Sequence, residues 1–132
     1  MKSYTDIEQS KKLIEFLPIE SADLWWAERY EGKISNWEYI VEEKPTYYLS
    51  LTKPSDNNYS QDTIKDIPCW SLAALLETLD FPVLSKDRLG SGRTGWMVSI
   101  YPDNCRYDSC WHDNPVDACY EMILKLHELK LL

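Results

Sequence analysis

Phenylalanine is nearly missing from this chain, with two in 132 residues, and glycine is scarce at four. No stretch approaches the roughly 20 apolar residues that span a bilayer, the longest being the mostly apolar IPCWSLAALL, so a membrane helix is excluded. The opening MKSYTDIEQS carries Asp6 and Glu8 and no apolar segment, so no secretory signal is expected. Together these absences predict a cytoplasmic location, with Cys69, Cys105, Cys110 and Cys119 as reduced thiols. Basic residues are also few, 14 against 22 acids, for a net charge of -8. Nucleic-acid backbones and anionic membranes demand a basic face, so direct binding to either is not expected. The sequence contains no H-E-x-x-H, no phosphate-binding G-x-x-x-x-G-K-[ST] and no G-x-S-x-G nucleophile elbow.

Tyrosine and tryptophan take the place of phenylalanine, with nine Tyr and six Trp. Nearly every ring therefore carries a polar handle, which suits surfaces that are part wet and part apolar, as protein interfaces are. The negative charge is concentrated: residues 15–43 hold eight acids against Arg29 and Lys33, whereas residues 81–100 are net positive. An acid-rich segment can steer toward a basic protein surface. At this length the chain forms one domain, residues 1–132, large enough to fold without disulfide or metal.

Periodicity places the elements. Thr5-x-x-Glu8 has the form of a capping box, and Ile7, Ile14 and Leu17 fall on one face, predicting a helix over 5–17 that Pro18 stops. In SADLWWAERY, Leu24, Trp26 and Tyr30 alternate with Trp25, Ala27 and Arg29, which favours a strand over a short helix capped by Ser21. Neighbours on a strand point to opposite faces, so Trp25 and Trp26 need cover on both sides or one of them is partly displayed. NWEYIVEE and TYYLSLT read as two further strands of a meander separated by a turn at Lys44-Pro45, and residues 53–62 as a polar loop. Leu72, Leu75, Leu76 and Leu79 form the stripe of a buried helix. FPVLSKDRLGSGRTGWMVSIYP reads as two strands around a glycine-rich tip, the one basic spot. In the last helix Asn114 caps, Pro115 takes the first position and Asp117 favours the dipole, with Val116, Cys119, Tyr120, Ile123 and Leu126 facing the core and Met122 and Leu129 widening the stripe. The expected fold is α+β, an antiparallel sheet of about five strands with three helices in the order α-β-β-β-α-β-β-α.

Two constellations invite chemistry. Gly90–Gly95 spells G-x-G-x-x-G, but a strand rather than a helix follows it, so a hairpin tip explains the glycines and no nucleotide cofactor is expected. Cys105, Cys110, His112 and Cys119 are four zinc-type ligands within 15 residues, yet their spacing fits no ribbon or knuckle and Cys119 falls on a core stripe. Cys110 and His112 would share a face of an extended segment, as a thiol nucleophile and its base must. Asp103, Asp108 and Asp113 surround them in sequence, where a reactive thiolate wants positive neighbours.

IPCWSLAALLETLDFPVL and DNPVDACYEMILKLHELKLL resemble recurring segments of small uncharacterised proteins carried by prophages and mobile elements. That resemblance implies a shared scaffold and no transferable site residue. It also implies a non-enzymatic protein that binds a host factor. An anti-CRISPR protein inhibiting an RNA-guided nuclease, such as a type VI effector, is its concrete form. The expected partner surface then comprises Trp25, Trp37 and Tyr39 as anchors with Glu28, Glu31, Glu38, Glu42 and Glu43 as charges. The competing readings are a small enzyme using the Cys110 and His112 region, with or without zinc, and a structural or oligomerisation module.

Overall fold

The computed structural model describes residues 2–30, 32–41, 44–51 and 66–132. Its elements run α1 (Ile7–Leu13), β1 (Leu24–Arg29), β2 (Gly32–Ser35), β3 (Glu38–Val41), β4 (Thr46–Ser50), β5 (Asp66–Cys69), α2 (Leu72–Thr78), β6 (Val83–Arg88), β7 (Thr94–Ile100), β8 (Tyr107–Asp108) and α3 (Pro115–Glu128). The class is α+β with antiparallel pairing throughout. The strands do not join into one sheet of about five, however. They form three small sheets, β4-β1-β5, β2-β3 and β6-β7-β8. The polar loop expected at 53–62 lies outside the described residues.

Local chemistry explains where each element starts and stops. Asp6, rather than Thr5, caps α1: its carboxylate accepts the Gln9 N–H at 2.8 Å and the Gln9 side chain accepts the Asp6 N–H at 3.1 Å. Thr5 is instead buried. Its hydroxyl meets that of Ser10 at 2.8 Å and accepts the Trp70 N–H at 3.1 Å. The helix accordingly starts at Ile7, and it ends at Leu13, well before Pro18. Ser71 caps α2, accepting the Ala74 N–H at 3.1 Å while Asp23 holds the Ser71 backbone and hydroxyl. Asn114 caps α3 by accepting the Asp117 N–H at 2.9 Å, with Pro115 at the first position. Pro68 lies inside β5, which is tolerated because among the described strands β5 pairs only with β1 and stands at the edge of its sheet.

One core joins the elements. α3 packs on β7 and α2, and α1 packs on β5. Leu13, Trp70, Leu75, Val98, Val116, Cys119, Met122 and Ile123 are all fully buried in it. Trp70 is the largest of these, and its indole donates to the Ser21 hydroxyl at 2.9 Å, so the buried ring leaves no polar atom stranded. The last-helix stripe is as the sequence implies through Leu126. Leu129 lies beyond it and is exposed. His127, at the end of the same helix, stacks on Phe16 with ring centroids 4.1 Å apart.

The doubled tryptophan sits in β1, where both rings are half-buried. The Trp26 indole donates to the Thr5 carbonyl at 3.1 Å and meets the Tyr4 ring edge-on at 5.6 Å. Trp25 occupies the opposite face, beside Pro68 of β5 and Ser50 of β4. Cover thus comes to both faces of this sheet, and neither indole is fully displayed.

Candidate functional site, an exposed hairpin arm

The β1–β4 ladder ends at Arg29 opposite Thr46, and a second ladder starts at Gly32 opposite Val41 and runs to Ser35 opposite Glu38. These two ladders are the root and the tip of one interrupted hairpin. Between the two ladders the outgoing limb spans two residues, 30–31, and the returning limb four, 42–45. Arg29 Nη1 stands 3.5 Å from Asp66 Oδ1, tying the root to β5. Beyond it, β2 and β3 pack chiefly on each other.

A two-residue turn, Asn36-Trp37, closes the arm. Both residues have positive φ, 52° and 67°, the signature of a type I′ turn whose twist matches the flanking strands. Asparagine tolerates that conformation. Tryptophan does not, and holding a bulky residue there costs of order 1 kcal/mol. The sequence pattern places Trp37 within a strand; it is in fact the tip of the turn, and it is 100% exposed.

The register puts Gly32, Ile34, Tyr39 and Val41 on one face of the arm. Ile34 is 77% exposed and Tyr39 70%, with Val41 also open to solvent. Ile40, on the other face, and Glu38, beside the turn, are exposed as well. A contiguous apolar surface of this kind, rimmed by charge, marks an interaction site. Among the described residues no third strand joins this sheet, and the outer backbone groups of a two-stranded sheet offer a further means of pairing.

Of the residues expected to meet a partner, Trp37, Glu38 and Tyr39 come together on this arm. Trp25 stays at the root, half-buried. Glu28 must be withdrawn: it is only 7% exposed, on the Trp26 face of β1, and its carboxylate accepts the Tyr30 hydroxyl at 3.2 Å. Glu31, Glu42 and Glu43 lie outside the described residues. Sequence reasoning missed Ile34, Ile40 and Val41, because apolar strand residues read as core. The signal that could have found them is Asn36 between two short alternating runs, a hairpin turn with no hydrophobic partner segment nearby.

The cysteine and histidine residues divide differently. All four cysteines are free thiols. Cys119 is buried in the core, and burial pushes its thiol up to about 12, whereas Cys105 and Cys110 are exposed. The four candidate zinc ligands are therefore not brought together, and no group of three metal-ligating side chains occurs among the described residues. Cys110 and His112 both turn to Glu121 of α3. The Cys110 N–H donates to Glu121 Oε2 at 2.6 Å, and His112 Nε2 stands 3.5 Å from Oε1. The thiol's hydrogen bond to Glu121, then the carboxylate's charge, raise the Cys110 pKa. That electrostatic setting opposes the thiolate a nucleophile needs.

At the β6–β7 tip, Gly92 takes φ 83° and supplies the turn, as expected of a glycine-rich hairpin. Lys86 lies 5.0 Å over the Trp96 ring and Arg93 pairs with Asp113, so part of this basic spot is engaged within the chain. Among the described residues no helix is long and apolar enough to cross a membrane. Comparison with protein-family models, with curated proteins and with solved structures finds no match to this chain.

Proposed function

We propose that this chain is a non-enzymatic binding protein that engages a host protein through the β2–β3 arm. One observation carries the reading: Trp37, a ring with a large apolar payload, stands fully exposed at a turn position where glycine would cost less. Ile34, Tyr39 and Val41 extend the same surface, and the acid-rich segment over residues 15–43 supplies complementarity to a basic partner. The resemblance to prophage and mobile-element segments narrows the partner to a host protein that handles nucleic acid, with an RNA-guided defence nuclease as the specific form.

The test is a tagged pull-down from host lysate, repeated after nuclease treatment and at high salt, with wild type beside Trp37→Gly and Ile34→Thr. A partner that survives nuclease treatment, is released by salt and is recovered at least about fivefold less by either variant supports the proposal, that loss corresponding to roughly 1 kcal/mol, which most interface residues do not reach. Equal recovery by all three proteins would remove the arm from the interface.

A further inference from the structure

A cavity of about 450 Å³ opens between the end of α2, the end of β7 and the end of α3. It is within the size range of small-ligand sites. Ile100 and Leu126, both core residues, line it, and the rings of Phe81 and Tyr101 add two aromatic surfaces. Phe81 is the unusual member. It is 93% exposed and has φ 47°, so the chain holds a large apolar ring in water on a left-handed backbone that disfavours any side chain. Tyr101 is also more than half exposed. No packing in the described fold repays either arrangement.

Asp80, next to Phe81, carries the only charged side chain among the described residues that line the cavity. Its carboxylate has no hydrogen bond or ion pair among the described residues. Aromatic faces present negative potential, and a carboxylate beside them adds a full charge, so both features select a cation. An apolar floor selects a hydrocarbon body attached to it. The net charge of -8 favours the same sign of ligand.

We propose that this cavity binds an organic cation with an apolar body, an ammonium or guanidinium whose stem lies on Ile100 and Leu126 while its charge meets Asp80, Phe81 and Tyr101. The site is separate from the arm, and its chemistry does not depend on the arm's partner. The same cation can come from a free amine or from a lysine or arginine side chain, and the probes below separate these sources.

Backbone amide shifts of the full chain are followed by NMR during titration with phenethylammonium, with its neutral isostere 2-phenylethanol, and with the blocked amino acids N-acetyl-lysine and N-acetyl-arginine methylamide. Saturable shifts at Thr78, Asp80, Phe81 and Tyr101, with phenethylammonium bound at least about fivefold more tightly than the alcohol, are expected, in keeping with a cation–π and charge contribution near 1 kcal/mol. Asp80→Asn should bring the ammonium and the alcohol to equal affinity, and Phe81→Gly, which suits the left-handed backbone, should weaken both. A blocked amino acid that outcompetes phenethylammonium assigns the site to a polypeptide side chain, and the reverse order assigns it to a free amine. Overturning results are equal affinity for ammonium and alcohol in the wild type, or no saturable shift at these residues up to about 10 mM probe, a concentration above which binding is too weak to be specific.

Discussion

The ring of Tyr39 lies across the α-carbon of Gly32: a Cβ built on that glycine would fall 2.1 Å from both Cζ and Oη of the tyrosine. The two residues are diagonal neighbours across the β2–β3 ladder, where Ile34 is the direct partner of Tyr39. Lacking a side chain, Gly32 gives the ring a bed, while most of the Tyr39 surface stays in solvent. A ring seated on the backbone in this way would lose less entropy in the binding proposed for the arm.

Gly32→Ala should drive the ring off this bed. The Gly32 α-protons of the wild type are expected upfield, within the ring current of Tyr39, and Tyr39→Ala should return them to ordinary values. Gly32→Ala should weaken partner capture as strongly as Tyr39→Ala does. Global stability should change by less than about 0.5 kcal/mol in calorimetry, because the arm contributes little to the core. A large loss of melting temperature would show the arm to be part of the cooperative fold.

Trp37→Gly should act with opposite signs on stability and on binding. Glycine relieves the positive-φ strain at the turn, of order 1 kcal/mol, so hydrogen exchange in β2 and β3 should slow. Capture of the partner should fall. A residue kept for packing would lose on both counts, so slower exchange together with weaker binding identifies Trp37 as retained for contact. Faster exchange in the glycine variant would mean that the indole supports the hairpin.

How much of this was legible in the sequence depends on whether the information is local. The cap of α3, the Leu stripe, the Val116 to Leu126 stripe and the glycine-rich β6–β7 tip follow from short-range periodicity and turn chemistry, and the structure has them. The shift from Thr5 to Asp6 at the first cap came from tertiary contact, since Thr5 is used by Trp70 and Ser10. The division into three sheets rests on long-range strand pairing, such as that of β1 with β5, which has no periodic signature. Part of the proposed interaction surface was visible as Trp37, Glu38 and Tyr39. Burial of Glu28 was not, because alternation assigns a face without saying which face is covered.

The thiols provide a test of the competing enzymatic reading. With a thiol reagent near pH 8, native Cys69 and Cys119 should not react, both being buried with raised pKa values. Cys105 should react readily and Cys110 more slowly, held back by its hydrogen bond to Glu121 and by that residue's charge. Glu121→Gln removes the charge and should speed Cys110 without affecting Cys105. Mass spectrometry of the modified peptides reads each site separately. A Cys110 that reacts faster than Cys105 in the wild type would favour a catalytic thiol.

Acid should remove stability through Asp117. Burial pushes this carboxyl up, but Lys2 and Gln9 donate to Oδ1 at 2.9 and 2.7 Å and Asn114 donates to Oδ2 at 2.8 Å, and together they hold it below its ordinary value. A carboxylate depressed in the folded state binds its proton more weakly there than in the unfolded chain. Its stabilisation is therefore full above the unfolded value near 3.9 and disappears as pH falls through the lower folded one. Asp108, hydrogen-bonded by Ser99 and Arg106, and Glu121, where bonds from Cys110 and His112 outweigh burial, act in the same direction. Asp117→Asn should cost about 1 kcal/mol at neutral pH, the charge-assisted value discounted for partial exposure. Between about pH 5 and pH 2 the denaturation curves of variant and wild type should converge, because protonated aspartate and asparagine then offer the Lys2 ammonium the same neutral acceptor. A gap that stays constant down to pH 2 would assign the loss to geometry instead of charge.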